Sequence, residues 1–592
     1  MDLSNEKFSA RFDDVQHRES PSSDSSDHGI DVVHGFAAHE TTVRKGYFYS
    51  MPFIGTMLAT GLGLASATGG FGLAAPNLTL INNDIGPDPN ITWVSLVYTL
   101  TLAIGLLLVG RLSDLFGRRW FFIGSAVLAL IGCIVCAVAK TVGTLIGGTT
   151  LIGLAASGQQ SFAFITGEIV PMKHRFSANA VMYLFCIPFA GLGPAVSKAF
   201  ILYTSAGWRW CYYTMIIVNF VSGVLFFFFY HPPTFHEKFR NRSRAQQIKN
   251  FDYIGTVLFL GGFITFLLGL SWGGSVYPWK SAHVIATMVV GGIILIIFTL
   301  WEIYAKLEEP LLPMHLFENF AWVVACILLG IGASIYYAMA IIWPQMIAVL
   351  FTTDGGASMT AGWWACSPSI AINVGQIVAG FSAEAIGKTK IQCMTVLTIG
   401  GAFLGAIAYA KPDSSAGATA LIIISSFFIG WNESVCLSNS GIELLDQREI
   451  GTAIGAAGSI RSAISSVSSA VYVSVLTNRL AKTIPTEVPP AVIAAGLPAS
   501  SVPAFLSGFT SGSFADVPGL TNSILAVGTQ AYKVASAHAY STVFYTSIAF
   551  TGIAVCLSVF APNVDDKMDG KIAVTLHESG AAAAVVQADE KV

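Results

Sequence analysis

Fourteen stretches of about 20 mostly apolar residues, the length a helix needs to cross a bilayer, are spread along this 592-residue chain. They lie near 50–74, 92–110, 120–139, 143–167, 177–203, 211–230, 253–272, 283–302, 320–343, 360–383, 391–410, 418–441, 450–476 and 538–561. Residues AVILMFWYC make up 54% of the chain and DEKR only 11%, against about 25% charged residues in a soluble domain. One soluble core cannot bury that much apolar surface, so lipid is its solvent. In hydrocarbon each helix must satisfy its own backbone. The expected fold class is an all-α membrane protein of about fourteen transmembrane helices.

An even number of spans puts both tails on one side, and Lys and Arg say which. With both tails in the cytoplasm, 22 of the 31 Lys and Arg residues fall in inner segments and seven in outer ones. Lys198 and Arg461 fall inside helices. Two glycosylation acceptors, Asn77-Leu-Thr79 and Asn90-Ile-Thr92, lie in the first outer loop and agree with this orientation. The first apolar run follows some 46 polar residues, so helix one is expected to act as an uncleaved insertion signal. The tails, 1–46 and 562–592, read as disordered, with an acidic, serine-rich stretch at Ser20–Asp27. Segment 477–537 reads as a long outer loop rich in proline and alanine.

A net charge of −3 with no basic stretch gives no footprint for nucleic acid. Cys133 and Cys136 form a CxxC inside an apolar span, and all nine cysteines read as packing residues, with no metal site and no cofactor implied. His-Glu-x-x-His, Gly-x-Ser-x-Gly and the Gly-x4-Gly-Lys-[Ser/Thr] phosphate loop are all missing from the sequence, which excludes those zinc, serine-hydrolase and ATP-driven chemistries.

An internal repeat is the most informative motif. The loop after helix two carries Gly110, Asp114, Gly117, Arg118 and Arg119, and 270 positions later the loop after helix ten carries Gly380, Glu384, Gly387 and Lys388 in the same spacing. Glycines allow tight helix turns, and the acid stands four residues before a base it can pair with. The acid can also face the N-terminus of a neighbouring helix, where negative charge is favoured. Such a loop suits a latch that holds two bundles in one state and releases them in another.

On these residues the chain resembles the major facilitator superfamily, whose first signature loop matches Gly110–Arg119. Fourteen helices resemble its drug:proton antiporter branch, in which two helices are inserted between two six-helix bundles. Gly207-Trp-Arg-Trp210, Asp252-Tyr-Ile-Gly255, Glu309-Pro-Leu-Leu-Pro313 and the Gly158-Gln-Gln160 tract are similar to that branch, and most similar to the fungal trichothecene efflux pump subgroup. The resemblance implies bundles at 47–230 and 320–561, with linkers and extra helices at 231–319. It further implies a monomer in the plasma membrane, or a vacuolar or vesicle membrane. The function implied is export of a small hydrophobic solute, such as a toxin or secondary metabolite, in exchange for protons by alternating access. Ferric-siderophore uptake is the alternative, and a non-transporting sensor a weaker one. Two departures bear on coupling. The branch's helix-four Arg-x-x-Gln-Gly is replaced by Thr149-Thr-Leu-Ile152-Gly153, and of its helix-five motif only Gly193-Pro194 remains.

Ionisable residues inside a span mark function by default. Lys198 lies near the outer end of helix five and can reach out of the membrane. Glu433 and Arg461 lie deeper, on helices twelve and thirteen at similar depths, and are expected to pair. The pair serves either proton coupling or architecture. Gln159, Gln160, Asn373, Gln376 and Asn432 are the expected polar lining of a cavity that otherwise suits a neutral, largely apolar molecule.

Overall fold

The computed structural model describes residues 36, 38–43, 45–233, 248–274, 277–444, 446–511 and 513–576. Among the described residues, twelve helices are long and apolar enough to cross a membrane. The other two expected spans, 143–167 and 177–203, also fall on helices, but broken ones. In chain order the elements are α1 (Met51–Gly72), α2 (Trp93–Phe116), α3 (Arg119–Ala137) and α4 (Val142–Gln159 with Phe162–Ile169). Next come α5 (Arg175–Leu184, a π-turn at Ile187–Gly191, then Gly193–Tyr203) and α6 (Arg209–Phe229). The extra pair is α7 (Tyr253–Trp272) and α8 (Ala282–Tyr304). The second half holds α9 (Phe320–Met346, ending in a π-turn at Ile347–Phe351), α10 (Met359–Ala365 with Ser367–Ile386) and α11 (Thr389–Ala406). It closes with α12 (Ser415–Ile442), α13 (Ile450–Ala494) and α14 (Asn522–Ser558).

Local chemistry sets many of these boundaries. Ser50, Thr141, Ser281, Asn319 and Thr521 each accept a backbone N–H of the helix that follows them, satisfying donors the first turn leaves open. The break in α5 surrounds Pro188, which has no N–H to continue the ladder.

Two seams join the halves: α2 packs on α13, and α5 on α10. The repeat lies on both. A Cβ at Gly110 would stand 2.5 Å from the Gly451 carbonyl oxygen on α13, and one at Gly380 would stand 2.8 Å from that of Phe176 on α5. Only glycine allows either approach.

The extra pair packs on itself and reaches the core through α7, which touches α2 and α13. Val289, Ile293, Ile296 and Leu300 of α8 are exposed, as on a lipid-facing helix. Several family-like motifs pin this pair and the outer face. Asp252 caps α7 through the Gly255 N–H at 2.8 Å, and Glu309 pairs with buried Arg111 of α2 at 2.8 Å. Between α5 and α6, Trp208 and Arg209 donate to Asp84 at 2.9 and 3.0 Å.

The outer segment 477–537 is not a loop. Helix α13 runs for 45 residues, about 67 Å at the helical rise, and carries Pro485, Pro489 and Pro490 within it. A short helix, Val502–Ser511, follows before α14 begins at Asn522. Val488, Val492, Phe505, Val517 and Ile524 form a separate apolar core there, and the Phe509 and Tyr532 rings stack with centroids 3.9 Å apart. Tertiary burial has overridden the breaker residues from which a loop was expected.

The tails are ordered where they are described. Ala38–His39 (β1) pairs antiparallel with Lys571–Ile572 (β2), with Ala38 opposite Ile572 and His39 opposite Lys571. The expectation of disorder fails here because Ile572, Ala573 and Val574 are buried and supply an apolar anchor. Residues 20–27 lie outside the described residues. Eight cysteines are buried free thiols, whereas Cys556 is exposed on α14 and so is not a packing residue.

Candidate functional site

A cavity of about 820 Å³, counting the space it opens onto, lies between the halves. Its wall takes Thr68 from α1, Gln160, Phe162 and Phe164 from α4, and Tyr183 and Cys186 from α5. From the other half come Tyr336 and Tyr337 of α9, Asn373 and Gln376 of α10, Glu433 of α12 and Arg461 of α13. The wall is thus apolar, with aromatic rings among aliphatic side chains such as Leu64, Leu106, Leu329 and Ile372, amides set into it and one ion pair.

Glu433 and Arg461 are in direct contact. The Arg461 Nε donates to Glu433 Oε1 at 2.9 Å, and its Nη2 reaches the same oxygen. Gln376 Nε2 donates to the other carboxylate oxygen at 3.0 Å. The guanidinium stands 5.8 Å from the Tyr337 ring centroid, a cation–π distance. Three helices of one half therefore converge on one carboxylate at the cavity wall.

Of the five expected polar lining residues, Gln160, Asn373 and Gln376 face the cavity. Gln159 and Asn432 do not. Gln159 donates to Asn219 of α6 at 2.6 Å, inside the first bundle. Asn432 is fully buried and donates to the Leu328 carbonyl of α9 at 3.3 Å. The reason is rotational: adjacent helix residues point about 100° apart, and here Gln160 and Glu433 take the cavity side while Gln159 and Asn432 turn into their own bundles. Sequence reasoning missed Tyr183, Tyr336, Tyr337, Phe162 and Phe164. The adjacent tyrosines in an otherwise apolar α9 were the available signal, because buried tyrosine hydroxyls need partners.

Ties between the halves flank the cavity. At the end of the bundles nearer the chain termini, Asp114 Oδ2 accepts the Thr452 backbone N–H at 2.6 Å and its hydroxyl at 2.9 Å. Arg118 bridges Asp114 Oδ1 at 2.6 Å and Glu168 at 3.0 Å, fully buried. Asn179 of α5 donates to Ser438 of α12 at 3.1 Å. Gly117 turns the chain with φ +94°. Arg119 takes no part, because it donates outward to the Phe227 carbonyl at 2.7 Å and holds the end of α6. At the opposite end Lys198 Nζ donates to the Gly356 carbonyl at 2.9 Å, and Phe71 meets Tyr337 edge-on at 5.4 Å. Gly193, at the restart of α5, lets that helix lie against α1, since a Cβ there would stand 2.9 Å from the Gly72 carbonyl oxygen.

The second copy of the repeat is built differently. Among the described residues Glu384 makes no hydrogen bond or ion pair, while the Lys388 backbone N–H, beside Gly387, donates to Asp565 of the C-terminal tail at 2.7 Å. The expected acceptor Asn77 is buried and donates to Ser197 Oγ at 2.7 Å, a position with no room for a glycan in this fold. Asn90 is exposed.

Residues 24–590 match the family described as fungal trichothecene efflux pump. The trichothecene efflux pump TRI12 of Trichoderma arundinaceum is 32% identical over 405 residues, 68% of this chain and 67% of that protein. Its counterpart in Fusarium sporotrichioides is 28% identical over 536 residues, 89% of each. The MFS-type transporter prx5 of Penicillium rubens is 29% identical over 461 residues, 75% of this chain and 81% of that one. The human organic anion transporter MFSD10 shares the fold with a TM-score of 0.51 at 13% identity, over 84% of this chain and 99% of that one. With two bundles meeting at a shared cavity, the match across nearly the whole chain decides the assignment: this is a multi-pass membrane protein of the major facilitator superfamily, and it belongs to the fungal trichothecene efflux pump family.

Proposed function

We propose that this chain exports a compact, neutral, largely apolar secondary metabolite from the cytoplasm by alternating access, in exchange for protons. The observation that carries this is the cavity wall: aromatic rings and aliphatic side chains with scattered amides, and one ion pair whose charges cancel. Such a wall binds a rigid hydrophobic skeleton through ring contacts and orients its oxygens with a few hydrogen bonds. Two of the relatives named above, those of Trichoderma arundinaceum and Fusarium sporotrichioides, are trichothecene efflux pumps, which fits this class of solute and supports export over siderophore uptake.

In this reading the broken helices α4 and α5 cross the membrane as well. The spans then number fourteen, both tails are cytoplasmic, and the monomer resides in the plasma membrane. The Asp114–Thr452 tie is the conformational latch, released when the cavity opens inward. Glu433 is the proton-carrying group. Protonation removes its charge from Arg461, which frees the guanidinium to change partners when solute leaves. A direct test is expression in a yeast strain sensitive to trichothecenes. Export predicts higher tolerance and lower cell-associated toxin, whereas greater toxin accumulation at equal protein level would point to uptake.

A further inference from the structure

The repeat glycines Gly110 and Gly380 occupy matching places on the two seams, yet only the first seam has an acidic latch. Asp114 holds α2 to α13, while Glu384 holds nothing among the described residues. The C-terminal tail stands at the second seam instead. On the second half, Asp565 accepts the Lys388 N–H, and Lys567 pairs with Glu443 at 2.6 Å. On the first half, the Asp569 carbonyl accepts the Lys173 N–H at 3.0 Å and Val574 donates to the Glu168 carbonyl at 2.9 Å. Leu576 donates to the Tyr47 hydroxyl at 3.2 Å. Residues 562–576 therefore bond both halves on the cytoplasmic face.

The N-terminal tail closes the same tie. It leads into α1 of the first half, whereas β2 follows α14 of the second, so the β1–β2 pair is itself a bridge between halves. Glu40 adds an ion pair with Lys173 at 2.5 Å. The hydrogen bond from Lys173 also holds the Glu40 carboxyl below its usual range. Glu168, where Val574 docks, is the residue whose carboxylate holds Arg118 against Asp114. The strap and the first latch thus share a residue.

We infer that the paired tails are a detachable cytoplasmic strap, replacing the missing latch of the second seam, and that they must leave before the cavity can open to the cytosol. The inference rests on the alternating-access reading. As long as 562–576 bonds Glu168 and Lys173 on one side and Lys388 and Glu443 on the other, the helix ends carrying those residues cannot separate.

The test uses Cys186, which lines the cavity, as the sole thiol in a full-length chain with its other cysteines replaced. Labelling by a membrane-impermeant maleimide is timed from the cytoplasmic face of inside-out vesicles. Ile572→Glu puts a charge into the buried strap and should speed labelling on the order of tenfold. A disulfide formed between His39→Cys and Lys571→Cys should slow labelling of Cys186 itself, read by mass spectrometry of its own peptide, below the starting rate, with recovery after reduction and removal of the reductant. If Ile572→Glu does not fold, the disulfide arm decides alone. Labelling rates that neither change alters, at normal folded yield, overturn the strap. Labelling needs no transported solute, so that result leaves the export reading standing, whereas failure of export in a strap-free, freely labelled chain would count against the export reading alone.

Discussion

Asp114, in the last turn of α2, accepts two hydrogen bonds from Thr452 in the first turn of α13, one from the backbone N–H and one from the hydroxyl. Two halves far apart in sequence are joined there by a carboxylate at a helix N-terminus, where negative charge is favoured. Asp114→Asn keeps the size, removes the charge and weakens the Arg118 bridge. Charge-assisted bonds of this kind contribute about 2 kcal/mol, so the equilibrium between states should shift roughly thirtyfold. The expected outcome is normal insertion and folded yield with strongly reduced transport by the purified, reconstituted variant. Transport at the unaltered rate would reduce the loop to a topology signal.

Glu433 offers a sharper test, because its two possible roles give opposite phenotypes. As the proton carrier, Glu433→Gln should keep solute binding while the transport rate loses its dependence on pH. As a purely architectural partner it should strand Arg461 at a cost of about 3–5 kcal/mol and lower folded yield, which Arg461→Gln would then restore. Binding, yield and pH profile in the single and double variants separate these outcomes, and the account predicts the first.

Tyr337 touches three things at once: the cavity, the Arg461 guanidinium and the ring of Phe71 on the opposite half. Tyr337→Leu should weaken binding of an apolar solute by about 1 kcal/mol through lost ring contact. It also removes one outer tie. We expect a rise in KM of several-fold, larger for solutes with extended ring systems, read from initial rates of transport. A KM that does not move would take Tyr337 out of the binding surface.

Phe505 is fully buried in the outer helical cap. Phe505→Ala should destabilise that cap by about 3–5 kcal/mol and expose 495–521 to protease from outside, with the membrane bundles left intact. Protection equal to that of the unaltered chain would mean that the cap draws its stability from elsewhere.

How much of this was visible beforehand depends on the kind of signal. Apolar runs are long and unambiguous, so every expected span falls on a helix. Gly110 and Gly380 were legible as a repeat because the spacing of acid, glycine and base returns intact. The Glu433–Arg461 contact followed from depth alone. Helix rotation was not legible: α4 is small and apolar all round, so nothing in the sequence says which of Gln159 and Gln160 faces inward. The outer cap was hidden because Pro485, Pro489 and Pro490 argue locally against helix, and the core that outweighs them is assembled from distant residues. The strap was hidden by brevity, since Ile572–Val574 is too short an apolar run to stand out in a polar tail.

The central claim is proton-linked export of a neutral hydrophobic metabolite, and uptake into proteoliposomes measures it most directly. The purified chain is reconstituted, the lumen is made acidic, and a radiolabelled trichothecene is added outside. For the molecules facing inside-out, the account predicts accumulation in the lumen above the outside concentration as protons leave. That accumulation should collapse with a protonophore and be absent from Glu433→Gln. Accumulation that ignores the proton gradient, or none beyond that of protein-free liposomes, would contradict it.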